Sequence, residues 1–420
     1  MTEAIQCINF SLAVIFVICY FYQVVYILIS LFKKPVRFAP AEQNKRYAFM
    51  ISARNEDNVI RNLIDSIKAQ TYPSELLDIY ICADNCTDNT AAVAQQAGAV
   101  VYSRTDPENI GKGWALDFLF KKVRQLKGDD YYDAFFIFDA DNLLDKDYVA
   151  RMNDAFSAGH RVIAAYRNTK NFGTNWLSCG YGLWFLHDSR HLNNVRMILG
   201  SSCSVAGTGF LISNQVIKEN NGWPYHLLIE DIQFSTESIL KGEKIAYCDD
   251  AKFYDEQPEE FKDSWNQRMR WTKGYMQILR QYGKDLIKGI FSKKGLACYD
   301  MLMTIMPAIV VTVLSIVANV VSFVLCLISQ SGLLAMLLSL GLTFVGSYLL
   351  LLTVGALACA TEWEHIRCAD KKKVIACFLF PLFVYTFIPV VVCALFRKVE
   401  WKPIRHKDSS TIEDMEKIKN

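Results

Sequence analysis

Two carboxylates stand two residues apart in Asp139-Ala140-Asp141, directly after the apolar run Ala134–Phe138. If a strand continued through them, both would face one side. Hard oxygen donors so placed suit Mg2+ or Mn2+, which can in turn hold a diphosphate. An isolated Asp-x-Asp also fits a solvated turn. Lys112, in Asn109-Ile110-Gly111-Lys112-Gly113, precedes a helical pattern and offers a cation near phosphate; a surface lysine in a glycine turn is the plainer reading. Glu230-Asp231 follows Leu227-Leu228-Ile229, which reads as a strand end. One carboxylate there suits a general base. Gln267, Arg270 and Trp271 gather toward one side of a helical turn. Arginine matches phosphate oxygens and tryptophan offers a face for a sugar. An amphipathic helix lying on a membrane explains the same pattern.

Alternating strands and helices must position these residues. Tyr47–Ser52 reads as a strand, followed by a helix over Val59–Gln70. Leu77–Cys82 is a second strand, with a polar turn from Ala83 to Asp88 and a helix over Asn89–Gln96. Ala99–Tyr102, a helix over Trp114–Gln125 and Ala134–Phe138 continue the alternation. Continuous apolar runs suit strands buried on both faces of a parallel sheet. The alternation indicates a doubly wound α/β domain, in which ligands bind beyond the carboxyl ends of the strands. Asp84, Asp139 and Asp141 fall at such ends.

The charge pattern sets this block apart from the rest of the chain. The 420 residues are 52% hydrophobic and carry a net charge of +2. That balance gives no support to a nucleic-acid partner. Of the Asp, Glu, Lys and Arg residues, 68 lie in 33–300, 19 in 301–420 and one in 1–32. The uncharged run Ile8–Phe32 is long enough to span a bilayer. It lacks the early basic residues and short apolar core of a cleaved leader, so it reads as a retained anchor. Lys33, Lys34, Arg37, Lys45 and Arg46 follow it, which places the central block in the cytosol. Met301–Thr361 holds no charge and is long enough for two spans, turning at Ser329-Gln330-Ser331-Gly332. Val374–Phe396 is uncharged but contains Pro381 and Pro389. Three full crossings would leave the basic tail outside, so this run is expected to bend, enter and return. The segment Val399–His406 reads as organised, either folded back on the cytosolic domain or held at the interface. The thirteen cysteines are scattered and fit no disulfide framework or zinc site.

In order, these motifs resemble the membrane-integrated, inverting glycosyltransferases of family 2: the cellulose, chitin, hyaluronan and poly-N-acetylglucosamine synthases. The resemblance covers roughly Tyr47 to Gly274 and the flanking spans. It rests on Asp84, Gly111-Lys112, Asp139 with Asp141, Gly207-Thr208-Gly209, Glu230-Asp231, and Gln267 with Arg270 and Trp271. The first motif departs from the family pattern, since its usual preceding aspartate is Ala83 here. The resemblance implies a GT-A (nucleotide-diphospho-sugar transferase) domain with N- and C-terminal transmembrane helices. The expected divisions are an anchor over 1–32, a linker over 33–46 and the GT-A domain over 47–258. Interface helices over 259–300, a membrane region over 301–396 and a tail over 397–420 follow.

The resemblance also implies roles. Asp84 would contact the uridine of a UDP-sugar, Asp139 the nucleotide, and Asp141, with Asp139, the Mg2+ or Mn2+ ion. Lys112, Gln267 and Arg270 would steady the phosphates. Asp231 would be the base, while Gly207, Thr208, Gly209, Glu230 and Trp271 would face the acceptor. The expected product is a β-linked polysaccharide of hexose or N-acetylhexosamine units, made by a multi-pass plasma-membrane protein with export as a coupled step. About four spans is few for an exporting synthase, so an accessory subunit or a homo-oligomer would complete a channel. The alternative is transfer of one sugar to a membrane lipid, as ceramide glucosyltransferases do. A non-enzymatic scaffold would have little use for every acidic motif.

The topology is testable at this level. Single cysteines placed between Lys33 and Asp300 should resist an impermeant thiol reagent in intact cells and react after lysis. Labelling without lysis would overturn the assignment.

Overall fold

The computed structural model describes residues 2–329 and 332–417. Helix α1 (Thr2–Phe32) precedes a domain that begins β1 (Tyr47–Ala53), α2 (Ile60–Lys68), β2 (Leu77–Asp84) and α3 (Thr90–Gln96). It continues β3 (Val100–Arg104), α4 (Lys112–Lys127), β4 (Ala134–Asp139), β5 (Leu143–Leu144), α5 (Tyr148–Ser157) and β6 (Val162–Thr169). Next come α6 (Trp176–His187), a π-helical turn (Asp188–Asn193) and α7 (Asn194–Ile198). β7 (Phe210–Ser213), α8 (Asn214–Glu219), α9 (Glu230–Lys241) and β8 (Ile245–Asp255) complete the domain. The long α10 (Phe261–Ile290) and α11 (Gly295–Ile305) lead to α12 (Pro307–Ser329), α13 (Leu333–Thr361), α14 (Asp370–Tyr385) and α15 (Phe387–Phe396). A short α16 (Ile412–Lys417) closes the described chain.

The eight strands form one sheet in the order β3-β2-β1-β4-β7-β6-β8-β5. The first four are mutually parallel. Their apolar runs are almost wholly buried, with Phe49 stacked on Phe136 at 4.9 Å between ring centroids. The fully parallel sheet expected from the alternation stops there. β7 runs antiparallel to both β4 and β6 because the chain crosses the carboxyl edge as the 201–209 loop and descends from it. Chain direction from β1 departs to β2 on one side and reaches β4 on the other. That switch point is where α/β sheets open a ligand crevice. Register brings Ser52 beside Asp139, Ala53 beside Ala83 and Asp84 beside Arg104.

The expected helices agree with α2, α3 and α4 to within two residues. Two expectations fail. Leu227–Ile229 is not a strand; its apolar side chains pack against α10 and α11, where Gly274 leaves room for Ile229. Met301 does not begin a membrane span, since residues 301–305 finish α11 and a new helix starts at Pro307. In the turn expected between α12 and α13, Gln330 and Ser331 lie outside the described residues.

Among the described residues, three helices are long and apolar enough to cross a membrane: Phe10–Phe32, Met336–Thr361 and Asp370–Phe396. The shorter Thr312–Ile328 stretch of α12 is also apolar. The last long run is broken at Thr386 into α14 and α15. Arg268 of α10, fully buried, holds that break. It donates to the Phe383 carbonyl at 3.5 Å and to the Thr386 hydroxyl, and it lies over the rings of Phe383 and Phe387. Both ends of the run touch the sheet domain or α10: Lys372 donates to the Gly173 carbonyl, and Lys273 donates to the Ala394 carbonyl at 3.0 Å.

A second buried charge joins the first helix to the domain. Arg196 of α7 makes a bidentate pair with Asp300 of α11, both contacts at 2.7 Å. Tyr22 and Tyr26 of α1 donate to the same carboxylate at 3.2 Å each. Removing one partner of a buried pair strands the other, at a cost of about 3–5 kcal/mol. Asp300→Ala should therefore lower the unfolding temperature sharply in detergent, and Arg196→Met combined with Asp300→Leu should recover much of the loss. An unchanged melting curve for Asp300→Ala would exclude this joint as a stabilising contact.

Candidate active site

The carboxyl ends of β1, β2 and β4 supply the site's first residues. Asn55, after β1, and Asn85, after β2, take left-handed backbone conformations (φ 59° and 51°), which asparagine tolerates. Asn55 accepts the Thr87 amide at 2.8 Å, so the two loops brace each other. Asp84, the last residue of β2, is buried and paired with Arg104 at 2.5 Å. Arg104 also holds Asp106 and the Asn109 carbonyl at 2.8 Å each. The sequence reading missed Arg104, which neutralises Asp84 from the adjacent strand.

β4 ends at Asp139 and Asp141 lies in the turn that follows, so the strand does not continue through both. Asp139 pairs with Lys112, which also donates to the Gly207 carbonyl at 2.7 Å. Asp141 is buried and accepts the Glu256 amide at 3.0 Å. Thr208 ties the adjacent loop to the turn: its hydroxyl accepts the Asp139 amide at 2.9 Å and donates to Asn142. Gly207 and Gly209 both adopt positive φ. A side chain at Gly209 would strike the ring of Phe253, and one at Gly207 would lie 3.6 Å from Asp231.

Glu230 and Asp231 open α9 rather than ending a strand, so their separation comes from helical geometry and not from strand alternation. A helix N-terminus favours carboxylates, yet here burial outweighs it. Burial, with Asp231 adding, pushes Glu230 up to about 7; Lys112 and Arg270 oppose the rise. Asp231 is likewise raised by burial and opposed by its own helix amides, Lys112 and Arg270, while keeping part of its surface accessible. Arg270 and Lys112 thus both act on this pair. The Gln267 side-chain oxygen is buried with no partner among the described residues. Trp271 sits edge-on to Tyr181 and Phe185, with centroids 5.8 and 6.4 Å away.

Further functional candidates come from places the sequence reading did not connect. The C-terminal segment crosses the carboxyl edge of the sheet. His406 Nδ1 lies 2.9 Å from Glu56 and Nε2 lies 3.9 Å from Asp141. Burial works against the charged imidazole, but Asp141, Glu56 and Glu256 outweigh it and hold its pKa well above the ordinary value. Burial pushes Glu56 up to about 7 against the pull of His406. Arg54 lies over the ring of Trp401 at 5.1 Å. Of the two readings of this segment, the fold-back onto the domain is the one observed.

Asp139 and Asp141 offer hard oxygen donors. Among the described residues no three His, Cys, Asp or Glu side chains stand together as a ready ligand set. That fits a small cation held by one or two carboxylates and completed by phosphate oxygens, rather than an all-protein cage.

Residues 44–274 match the model of glycosyltransferase like family 2, and the chain belongs to that family. Its fold is GT-A-like. It is similar to the probable glycosyltransferase YdaM of Bacillus subtilis, 24% identical over 263 residues and covering 58% of each chain. Beta-monoglucosyldiacylglycerol synthase of Synechocystis sp. is 24% identical over 239 residues, 56% of this chain and 48% of that protein. Poly-beta-1,6-N-acetyl-D-glucosamine synthase of Staphylococcus aureus is 24% identical over 267 residues, covering 62% and 61%. The chain thus spans about half to three-fifths of these relatives' lengths. The mannosyltransferase PcManGT of Pyrobaculum calidifontis, solved with GDP-Man and Mn2+, shares the fold at a TM-score of 0.57 and 14% identity, covering 93% of this chain and 99% of that one.

The raised pKa of Glu230 has a stability signature. A carboxyl whose folded pKa exceeds its unfolded value destabilises the fold increasingly as pH rises from one to the other. For Glu230 that window runs from 4.5 to about 7. The unfolding temperature of Glu230→Gln should match the parent at pH 4.5 and exceed it by a constant margin above pH 7. A difference independent of pH would show that Glu230 is not held protonated by burial.

Proposed function

With membership of glycosyltransferase like family 2 as the premise, we propose that this chain transfers a hexose or N-acetylhexosamine from a UDP-sugar to a growing β-linked polysaccharide at a membrane, with its sheet domain in the cytosol. The observation that carries the transfer chemistry is the convergence at Gly207. Its carbonyl accepts from Lys112, its Cα faces Asp231, and Lys112 pairs with Asp139 of the Asp-x-Asp turn. A cation, a carboxylate pair and a candidate base therefore meet at one loop.

In this reading Asp84 contacts the uridine, its charge partly balanced by Arg104. Lys112 exchanges its Asp139 partner for the donor's phosphates. Arg270, which acts on the Glu230–Asp231 pair, and the side-chain NH2 of Gln267 steady the same group. Asp139 and Asp141 fit Mg2+ or Mn2+, which when bound would stabilise charge on the departing diphosphate. Asp231 takes the proton from the acceptor hydroxyl as that oxygen attacks the anomeric carbon. Burial raises its pKa above that of an ordinary aspartate, which strengthens it as a proton acceptor. One base and no covalent nucleophile give a single displacement, so an α-linked donor yields a β-linkage. Gly207–Gly209 and Trp271 line the acceptor side.

A second reading, one sugar passed to a membrane lipid, draws support from the small number of apolar helices and from the similarity to beta-monoglucosyldiacylglycerol synthase. The full chain, purified and supplied with labelled UDP-sugars, separates the two by product size. A polymer ladder supports the first reading; a single labelled lipid replaces it with the second. No transfer from any UDP-sugar overturns both. Asp231→Asn should abolish transfer while leaving UDP binding largely intact. Asp141→Asn should slow turnover about a thousandfold or more, several kcal/mol of transition-state stabilisation. Equal loss of UDP affinity and rate in Asp231→Asn would move that residue to the donor site. Loss of transfer in Glu230→Gln but not in Asp231→Asn would move the base to Glu230.

A further inference from the structure

Gly207 is flanked by two contacts that belong to one closed circuit. On one side, Arg167 of β6 donates to the Ala206 carbonyl at 2.8 Å. On the other, the Thr208 hydroxyl donates to the side-chain oxygen of Asn142. The circuit closes at Asp255, the last residue of β8. One Asp255 oxygen accepts the Asn142 side-chain amide at 2.8 Å. The other accepts Arg167 Nε at 2.9 Å and a second nitrogen of the same guanidinium. Gln257 donates to that oxygen too, at 2.7 Å. Asn142, Thr208 and Asp255 are buried. The guanidinium lies over the Phe185 ring, 3.6 Å from its centroid.

Little else supports the loop from below. A water-sized cavity of about 10 Å3 lies there, lined by Arg167, Ser189, Asn193, Ser204, Thr208 and Gly209. The backbone is anchored on either side, where the Val205 amide donates to the Ser235 hydroxyl at 3.0 Å and the Gly209 amide to the Ile137 carbonyl at 2.9 Å. Between these anchors Gly207 takes a φ of 84°, and its carbonyl accepts from Lys112. A side chain there would stand 3.6 Å from Asp231. A shift of the loop would therefore move the wall beside the candidate base. Arginine suits the junction because its planar fork reaches a carboxylate and a carbonyl at once.

We propose that Arg167, with Asp255 and Asn142, is a positioning residue for transfer. The three clamp Gly207 so that the acceptor hydroxyl, rather than water, occupies the space beside Asp231. They act through the loop. This rests on the proposed roles of Asp231 as base and of Gly207–Gly209 on the acceptor side. Sensitivity to the clamp follows from geometry, since a misplacement of about 1 Å costs about 100-fold in rate.

The test uses the full chain in detergent. Arg167→Lys keeps a cation beside Asp255, but one ammonium cannot span Asp255 and the Ala206 carbonyl as the fork does. Amide exchange in 205–209 should quicken while the melting temperature stays near the parent's. With labelled UDP-sugar, transfer should fall about 100-fold. Release of free sugar should rise relative to transfer, and UDP binding by calorimetry should stay near the parent's. Asn142→Ala opens the other arm and should give the same pattern. The double variant should lose little more than the worse single one, because both open one circuit. Additive losses would show two separate supports and overturn the circuit. Unchanged exchange in 205–209 would overturn the clamp without reference to turnover, and so independently of the proposed function. Quickened exchange with unchanged transfer would remove the positioning role and leave the proposed function standing. Equal loss of UDP affinity and transfer would place Arg167 in the donor site and overturn the proposal.

Discussion

Carboxylates crowded at one edge of a sheet repel each other and resist burial, and the domain is organised around neutralising them. Asp84, Asp139, Asp141, Glu56, Asp255 and Glu256 all gather at or beyond the ends of β1, β2, β4 and β8. Each meets a cation drawn from a different element. Arg104 of β3 pairs with Asp84, Lys112 of α4 with Asp139, Arg167 of β6 with Asp255, and Lys170 with Glu256. His406, from the far end of the chain, sits between Glu56 and Asp141. Unpaired, such groups would stay protonated rather than ionise in the interior. The pairing offsets the cost of crowding these groups together, while burial still pushes Glu56 up to about 7.

The membrane-facing half is tied to this edge by two buried arginines. Arg196 gathers α1, α7 and α11 around Asp300. Arg268, two residues from Arg270, holds the break at Thr386. One face of α10 therefore carries Gln267, Arg270 and Trp271 toward the sheet domain, while the adjacent Arg268 grips the helices behind it. Beyond α15 the chain runs back to the cleft, where His406 meets Glu56.

Much of the catalytic edge was legible because its signals are local. An apolar run ending in acidic residues marks a buried strand and its open end, which is why Asp84, Asp139 and Asp141 read as site residues. Glu230 and Asp231, expected at a strand end, open α9 instead. Leu227–Ile229 is apolar because it packs on α10 and α11, and short apolar runs do not distinguish that from a strand. A strand running on through both Asp139 and Asp141 does not form, because β4 ends at the first of them. Arg104 was passed over as one more residue after a short strand, since its partner lies across the sheet.

The sequence by itself determined the strand-and-helix alternation, the apolar helices and the positions of the acidic turns, because periodicity and composition act over a few neighbouring residues. Tertiary structure alone decided which charges meet. It set the antiparallel return of β7, paired Asp139 with Lys112 and Asp141 with the Glu256 amide, and fixed the raised pKa values of Glu230 and Asp231 through burial. Above all it brought His406 to Glu56, 350 residues earlier in the chain. No local pattern encodes that contact, because it depends on where the bent α14–α15 segment releases the tail and on which carboxylates the sheet register has already gathered there.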